Sequence, residues 1–170
     1  DHNTRLLCSS ALAGILAGQI ETTPNMVNAA PLAVERGIQF TEATTPQSRD
    51  YTNRITLRSG DVMVSGTTIG TTSRTRLVAA FDQDIEIELA PHLGLFRYRD
   101  VPGMIGKVGS LLGEAGINIA SMAVSRDRRE GLALMAVTID SPAAPAAADA
   151  IRGIDGFEQA WFVDLEMGGA

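Results

Sequence analysis

Along the first twenty residues Leu6, Leu7, Ala11, Leu12, Ile15, Leu16 and Ile20 recur at steps of three and four. That spacing predicts a helix with one apolar face, even though Gly14 and Gly18 interrupt it. Glu21-Thr22-Thr23-Pro24 breaks the pattern. Asn25 is then placed to cap a second helix carrying Met26, Val27, Ala30, Leu32 and Val34, with a bend available at Pro31 and a stop at Gly37. From Ile38 the period shortens to two, so Ile38 and Phe40 predict the start of a strand, followed by a loop over 44–48. Tyr51, Asn53, Ile55 and Leu57 alternate with Thr52, Arg54, Thr56 and Arg58, the pattern of a strand with one wet face. Ser59-Gly60-Asp61 turns it into a hairpin partner that begins at Val62 and Val64 and runs through Gly66 to Gly70. Thr71 to Arg76 reads as a solvated turn, and Leu77, Val78 and Phe81 as the next sheet edge. Asp82-Gln83-Asp84 reads as a turn into a half-exposed strand in which Ile85, Ile87 and Leu89 alternate with Glu86 and Glu88.

Ala90-Pro91-His92 joins this half to a second pattern. An apolar run at Leu93, Leu95 and Phe96 ends in Tyr98 and Asp100, and Pro102-Gly103 opens a segment with Met104, Ile105, Val108, Leu111, Leu112 and Ala115 on one helical stripe. Gly116 stops that helix, and Ile117-Asn118-Ile119-Ala120 resumes extended chain. Ser125 to Gly131 is a charged hairpin loop, and Leu132, Leu134, Met135, Val137 and Ile139 form an apolar strand. A helix opening at Ser141-Pro142 carries Ala144, Ala147, Ala148, Ile151 and Ile154 on one side and ends at Gly156, and Trp161 to Leu165 closes the pattern as a strand. Trp161 is assigned to the core or a sheet edge, the commoner role of a lone tryptophan, over ligand stacking.

The chemistry that this patterning offers sits at the turn before Met104. The free N–H groups of a helix start favour a carboxylate, while a nearby carboxylate favours an ammonium, so Asp100 and the helix start that Val101, Pro102 and Gly103 lead into suit a zwitterion such as a free amino acid. Asn118 carries both a donor and an acceptor and can read the remaining polar group. The structural alternative is that Asp100 only caps the helix and Asn118 only edges a strand. A second candidate is an anion site at Arg74 and Arg76, whose guanidiniums lie beside threonine hydroxyls.

Composition narrows the classes. The 170 residues suffice for one medium or two small domains. Hydrophobic content of 45% with 20% charged residues is that of a globular protein. A net charge of -6 argues against a nucleic-acid surface, and no apolar run is long enough for a membrane span. The single cysteine, Cys8, excludes an internal disulfide and fits a cytoplasmic location. No catalytic residue and no metal ligand set is assigned, because His2 and His92 lack partners for a triad or a cluster. Nor does a strand lead into a dinucleotide-binding turn: Gly103, Gly106 and Gly109 belong to a helix and its start. The opening at Asp1 suggests a fragment or a processed chain.

Two resemblances organise these readings. From Leu93 to Glu166, the Asp100-Val101-Pro102-Gly103 turn, the helix end Glu114-Ala115-Gly116 and Ile117-Asn118-Ile119-Ala120 resemble an ACT domain, a ferredoxin-like βαββαβ module that binds amino acids. The first half, through Asn28 to Gly37 (NAAPLAVERG), Val62 to Gly66 and Thr67 to Gly70, resembles the intervening allosteric-substrate-binding domain of long-form D-3-phosphoglycerate dehydrogenases. The resemblance implies an α+β fold, with an intervening domain over 1–91, truncated at its start, and an ACT domain over 92–170. It implies that the fragment is the non-catalytic regulatory part of an NAD-dependent homo-oligomeric oxidoreductase of L-serine biosynthesis, with NAD bound elsewhere in the parent protein. L-serine would bind where two ACT domains associate, Tyr98 and Asp100 meeting the ammonium and polar end, Asn118 the carboxylate or backbone, and Val101 to Gly103 offering amides. Phosphate or a phosphorylated acid would occupy the anion site. Tyr98, where many relatives have histidine, and Val101, where arginine often precedes the proline, depart from the family pattern. The competing readings are the regulatory part of an iron–sulfur L-serine dehydratase and a free-standing amino-acid-binding ACT protein.

Overall fold

The computed structural model describes residues 4–45, 51, 53–127 and 131–165. The chain forms two compact units, residues 1–49 and 50–170. In the first, α1 (Arg5–Leu16) and α2 (Ala29–Glu35) bury Leu12, Leu16, Ala29 and Ala33 between them. Helix α1 stops four residues short of Ile20, with Gly18 in the left-handed region. The side-chain oxygen of Asn25 accepts from the N–H groups of Val27 and Asn28, at 2.8 and 3.1 Å, so it caps the turn ahead of α2 and not the helix itself. Pro31 is the third residue of α2, where its missing N–H breaks no helical bond, so no bend is needed. Ile38 and Phe40 do not form the expected strand, having no neighbouring strand to pair with among the described residues. The loop predicted over 44–48 lies partly outside the described residues.

The second unit carries both sheets. β1 (Ile55–Ser59), β2 (Val62–Ile69), β3 (Arg74–Ala80) and β4 (Gln83–Glu88) form an antiparallel meander in sequence order. The predicted hairpin is present, with Ser59 facing Val62. β1 is nevertheless exposed along its whole length as an edge strand of its sheet, and the expected alternation of wet and dry positions does not appear. Arg74 and Arg76 lie in strand β3 instead of a turn, the turn itself being 70–73. The β3–β4 turn is two residues, Phe81 and Asp82, both at positive φ (53° and 59°), earlier than the predicted Asp82-Gln83-Asp84. That backbone matches the twist of a tight hairpin, and it places the Phe81 ring flat on Trp161, centroids 4.7 Å apart.

Residues 92–165 fold as β5 (His92–Arg99), α3 (Met104–Glu114), β6 (Ile119–Asp127), β7 (Leu132–Ile139), α4 (Pro145–Arg152) and β8 (Phe157–Asp164). The strand order β6-β7-β5-β8 with all pairs antiparallel is the ferredoxin-like βαββαβ arrangement. α4 starts at Pro145, three residues after Pro142. Strand β7 is buried at every position, which requires cover on both faces of the sheet. On one face Phe96, Met135 and Val137 meet Met104, Val108 and Leu112 of α3 and Ile151 of α4. On the other, Leu93, Leu95, Leu134 and Ala136 meet Leu77, Ala80, Ile85 and Ile87 of the first sheet. The 91/92 junction thus falls inside one compact body, where Leu165 N–H donates to Pro91 O at 2.7 Å.

Candidate functional site

The loop from β5 to α3 is built by three exposed residues, Val101, Pro102 and Gly103. Gly103 occupies the N-cap at φ 90°, a conformation that a side chain resists, and it brings no capping oxygen. The first bond closed on the helix runs from Lys107 N–H to Gly103 O at 3.0 Å, so the amides of Met104, Ile105 and Gly106 have no intrahelical acceptor. Asp100 does not cap them. Its own N–H donates to Gly131 O at 2.9 Å, which ties it to the end of the β6–β7 hairpin. Its carboxylate lies 3.3 Å from Arg126 Nε at the end of β6.

Arg126 was hidden in the sequence as one charge of the loop SRDRREG. Only the tertiary fold brings it to Asp100. The Tyr98 ring is 2% exposed and packs on Phe157, centroids 5.4 Å apart. Burial raises the pKa of its hydroxyl above 10.0, the Asp100 charge adds to the rise and Arg126 opposes it. The folded state therefore holds the Tyr98 proton more tightly than the unfolded chain does. The associated stability is present in full below pH 10 and is lost as pH rises through the higher folded pKa. A Tyr98→Phe variant should show a shallower alkaline loss of stability than wild type between pH 9.5 and 11, measured by urea melts; parallel curves would refute the assignment.

Asn118 is exposed just ahead of β6, its backbone exchanging bonds of 3.2 Å with Asp140. Among the described residues no group meets its side-chain amide. The strand register keeps it far from Asp100: Ile119 is level with Ile139, whereas Arg99 and Asp127 are level with Leu132. The whole of β7 separates the two levels, about 23 Å at the rise of an antiparallel strand. Asp100 and Asn118 of one chain cannot close on one small ligand.

Arg74 and Arg76 project toward carboxylates of β4. Arg74 lies 3.6 Å from Glu88, and Arg76 lies 3.2 Å from Glu86 and 3.5 Å from Glu88. An anion arriving there would compete with two carboxylates already in place. Gly106 and Gly109 are helical residues of α3, so the residues present do not form a phosphate-cradling loop for a dinucleotide. No helix is long and apolar enough to cross a membrane among the described residues.

Comparison with known proteins matches this architecture. The family model of the D-3-phosphoglycerate dehydrogenase intervening domain matches residues 1–80, and that of the ACT domain matches residues 95–156. The chain is 34% identical over 166 residues to a D-3-phosphoglycerate dehydrogenase of Synechocystis sp., covering 96% of this chain and 30% of that protein. It is 29% identical over 171 residues to that of Archaeoglobus fulgidus, covering 96% of this chain and 32% of the relative. It is 34% identical over 141 residues to that of Bacillus subtilis, covering 81% and 27%. The chain thus spans about 30% of the length of the curated relatives it matches. Two matched modules in one order, on an α+β fold with a ferredoxin-like second half, place the chain in the D-3-phosphoglycerate dehydrogenase family, as the regulatory region in which an intervening domain is joined to an ACT domain.

Proposed function

We propose that this region senses L-serine for an NAD-dependent D-3-phosphoglycerate dehydrogenase of L-serine biosynthesis, at a site shared by the ACT domains of two copies, and that occupancy lowers catalysis elsewhere in the oligomer. The strand register carries this reading. Because Asp100 and Asn118 stand at opposite ends of the sheet, each can complete a site only with the other copy's residue. β6 is an edge strand with small side chains at Ala120, Ser121, Ala123 and Ser125. Antiparallel pairing of two β6 edges sets Asn118 of one copy near the Asp100 loop of the other, at both ends of the seam. An incoming ammonium takes the place of the Arg126 guanidinium on Asp100, and the open amides of α3 and the partner's Asn118 receive the carboxylate. Serine then favours the paired arrangement because it gains its full contact set only there, which is the differential affinity that regulation requires. Catalysis and nicotinamide binding belong to parts of such a protein beyond these residues.

Subunit complementation tests the shared site. Asp100→Ala and Asn118→Ala chains should each lose high-affinity L-serine binding. Co-refolded in equal amounts, they should regain binding at about one quarter of the wild-type stoichiometry, because about half of the pairs formed at random are mixed and each mixed pair holds one of its two sites with both residues intact. A mixture that stays as weak as its components would place both residues in the same site of one chain, or in none.

A further inference from the structure

The row of residues on β7 that faces the first sheet runs Leu134, Ala136, Thr138, apolar until its last member. Thr138 is 3% exposed. It lines a cleft of about 350 Å³ at the end of the intersheet core. Ser121, its cross-strand neighbour on β6, adds a second hydroxyl, just past the bulge at Ala120. The opposite wall is β4 with the chain that follows it, Ile87 and Leu89, and Arg76 stands at the mouth with Glu86 and Glu88.

The charges at the mouth select the ligand class. A simple anion drawn to Arg76 would meet two glutamates, and a simple cation drawn to the glutamates would meet Arg76. A molecule carrying both charges on adjacent atoms leaves neither opposed: its carboxylate bonds the guanidinium, its ammonium bonds Glu86 or Glu88, and its remaining polar group reaches Ser121 and Thr138. We infer that the cleft between the two sheets, floored by Thr138 and Ser121 and gated by Arg76, Glu86 and Glu88, is a second site for a small zwitterionic amino acid. It lies within one chain and does not depend on the site at Asp100.

Calorimetry on the full chain, with L-serine as probe and acetate and methylammonium as its two single-charge halves, tests this. Asp100→Ala, which weakens the other site, should retain serine binding at the cleft with wild-type affinity, and amide NMR shifts should localise it to Leu89, Ser121 and Thr138. Acetate and methylammonium should each bind at least tenfold more weakly. Adding Thr138→Val should weaken serine at least fivefold, and Thr138→Ser should restore it, which separates a lost hydroxyl from a lost fold. No serine binding by Asp100→Ala, acetate binding that matches serine, or a Thr138→Val change without effect would each overturn the cleft site while leaving the shared site to its own test.

Discussion

L-Serine should bind an Asp100→Ala chain about 10- to 100-fold more weakly at the shared site than it binds wild type, while the melting temperature falls by at most about 5 °C. The two halves of this expectation have different physical origins. Among the described residues the charge facing Asp100 is Arg126, whose side chain is 65% exposed, and an ion pair so open to water contributes about 0–1 kcal/mol to folding. A bond between a carboxylate and a bound ammonium in a partly desolvated interface is worth about 1.5–3 kcal/mol, which gives the fold-change stated. Calorimetry beside a thermal melt reads both. Unchanged affinity removes Asp100 from the site, and a large fall in melting temperature makes it a structural residue instead.

The second large effect concerns the layer between the sheets. Leu134 is fully buried, its side chain against Leu77, Ile85 and Ile87 of the first sheet. Leu134→Ala should cost about 2–5 kcal/mol, the sum of lost transfer energy and the cavity left behind. Because the layer joins both sheets, tertiary signals from Trp161, stacked on Phe81 across it, and from the backbone of residues 50–165 should fall in one coincident transition, shifted to lower denaturant in the variant. Two separate transitions in wild type would mean that the sheets fold independently and that the shared core contributes little.

Much of the second half was legible because its strands and helices bury faces with a clean period. Met104, Val108 and Leu112 recur at four and enter the core as predicted, whereas Ile105 and Ala115 of the same predicted stripe stay exposed. Phe96 and Tyr98 on one face, and Leu93 and Leu95 on the other, follow from alternation once cover on both sides is granted. Legibility failed where a partner strand decides. Ile38 and Phe40 alternate like a strand yet find no neighbour among the described residues, whereas Arg74 and Arg76 are polar and Thr-flanked yet are drawn into a strand by β2 and β4. Phe81 at positive φ is a poor turn residue by propensity, and its stacking on Trp161 offsets that preference.

From the sequence alone came the order of modules, the loop Asp100 to Gly103, and Asn118, because each rests on residues within a few positions of one another. The tertiary structure alone decided that Arg126 faces Asp100, that Glu86 and Glu88 occupy the guanidiniums of Arg74 and Arg76, and that Asp100 and Asn118 lie a strand's length apart. The reason is that local periodicity records which face a residue takes, while the registers of β5, β6 and β7 fix which distant residues share an end of the sheet. Those registers are set by packing across the whole layer, and no single stretch of chain contains them.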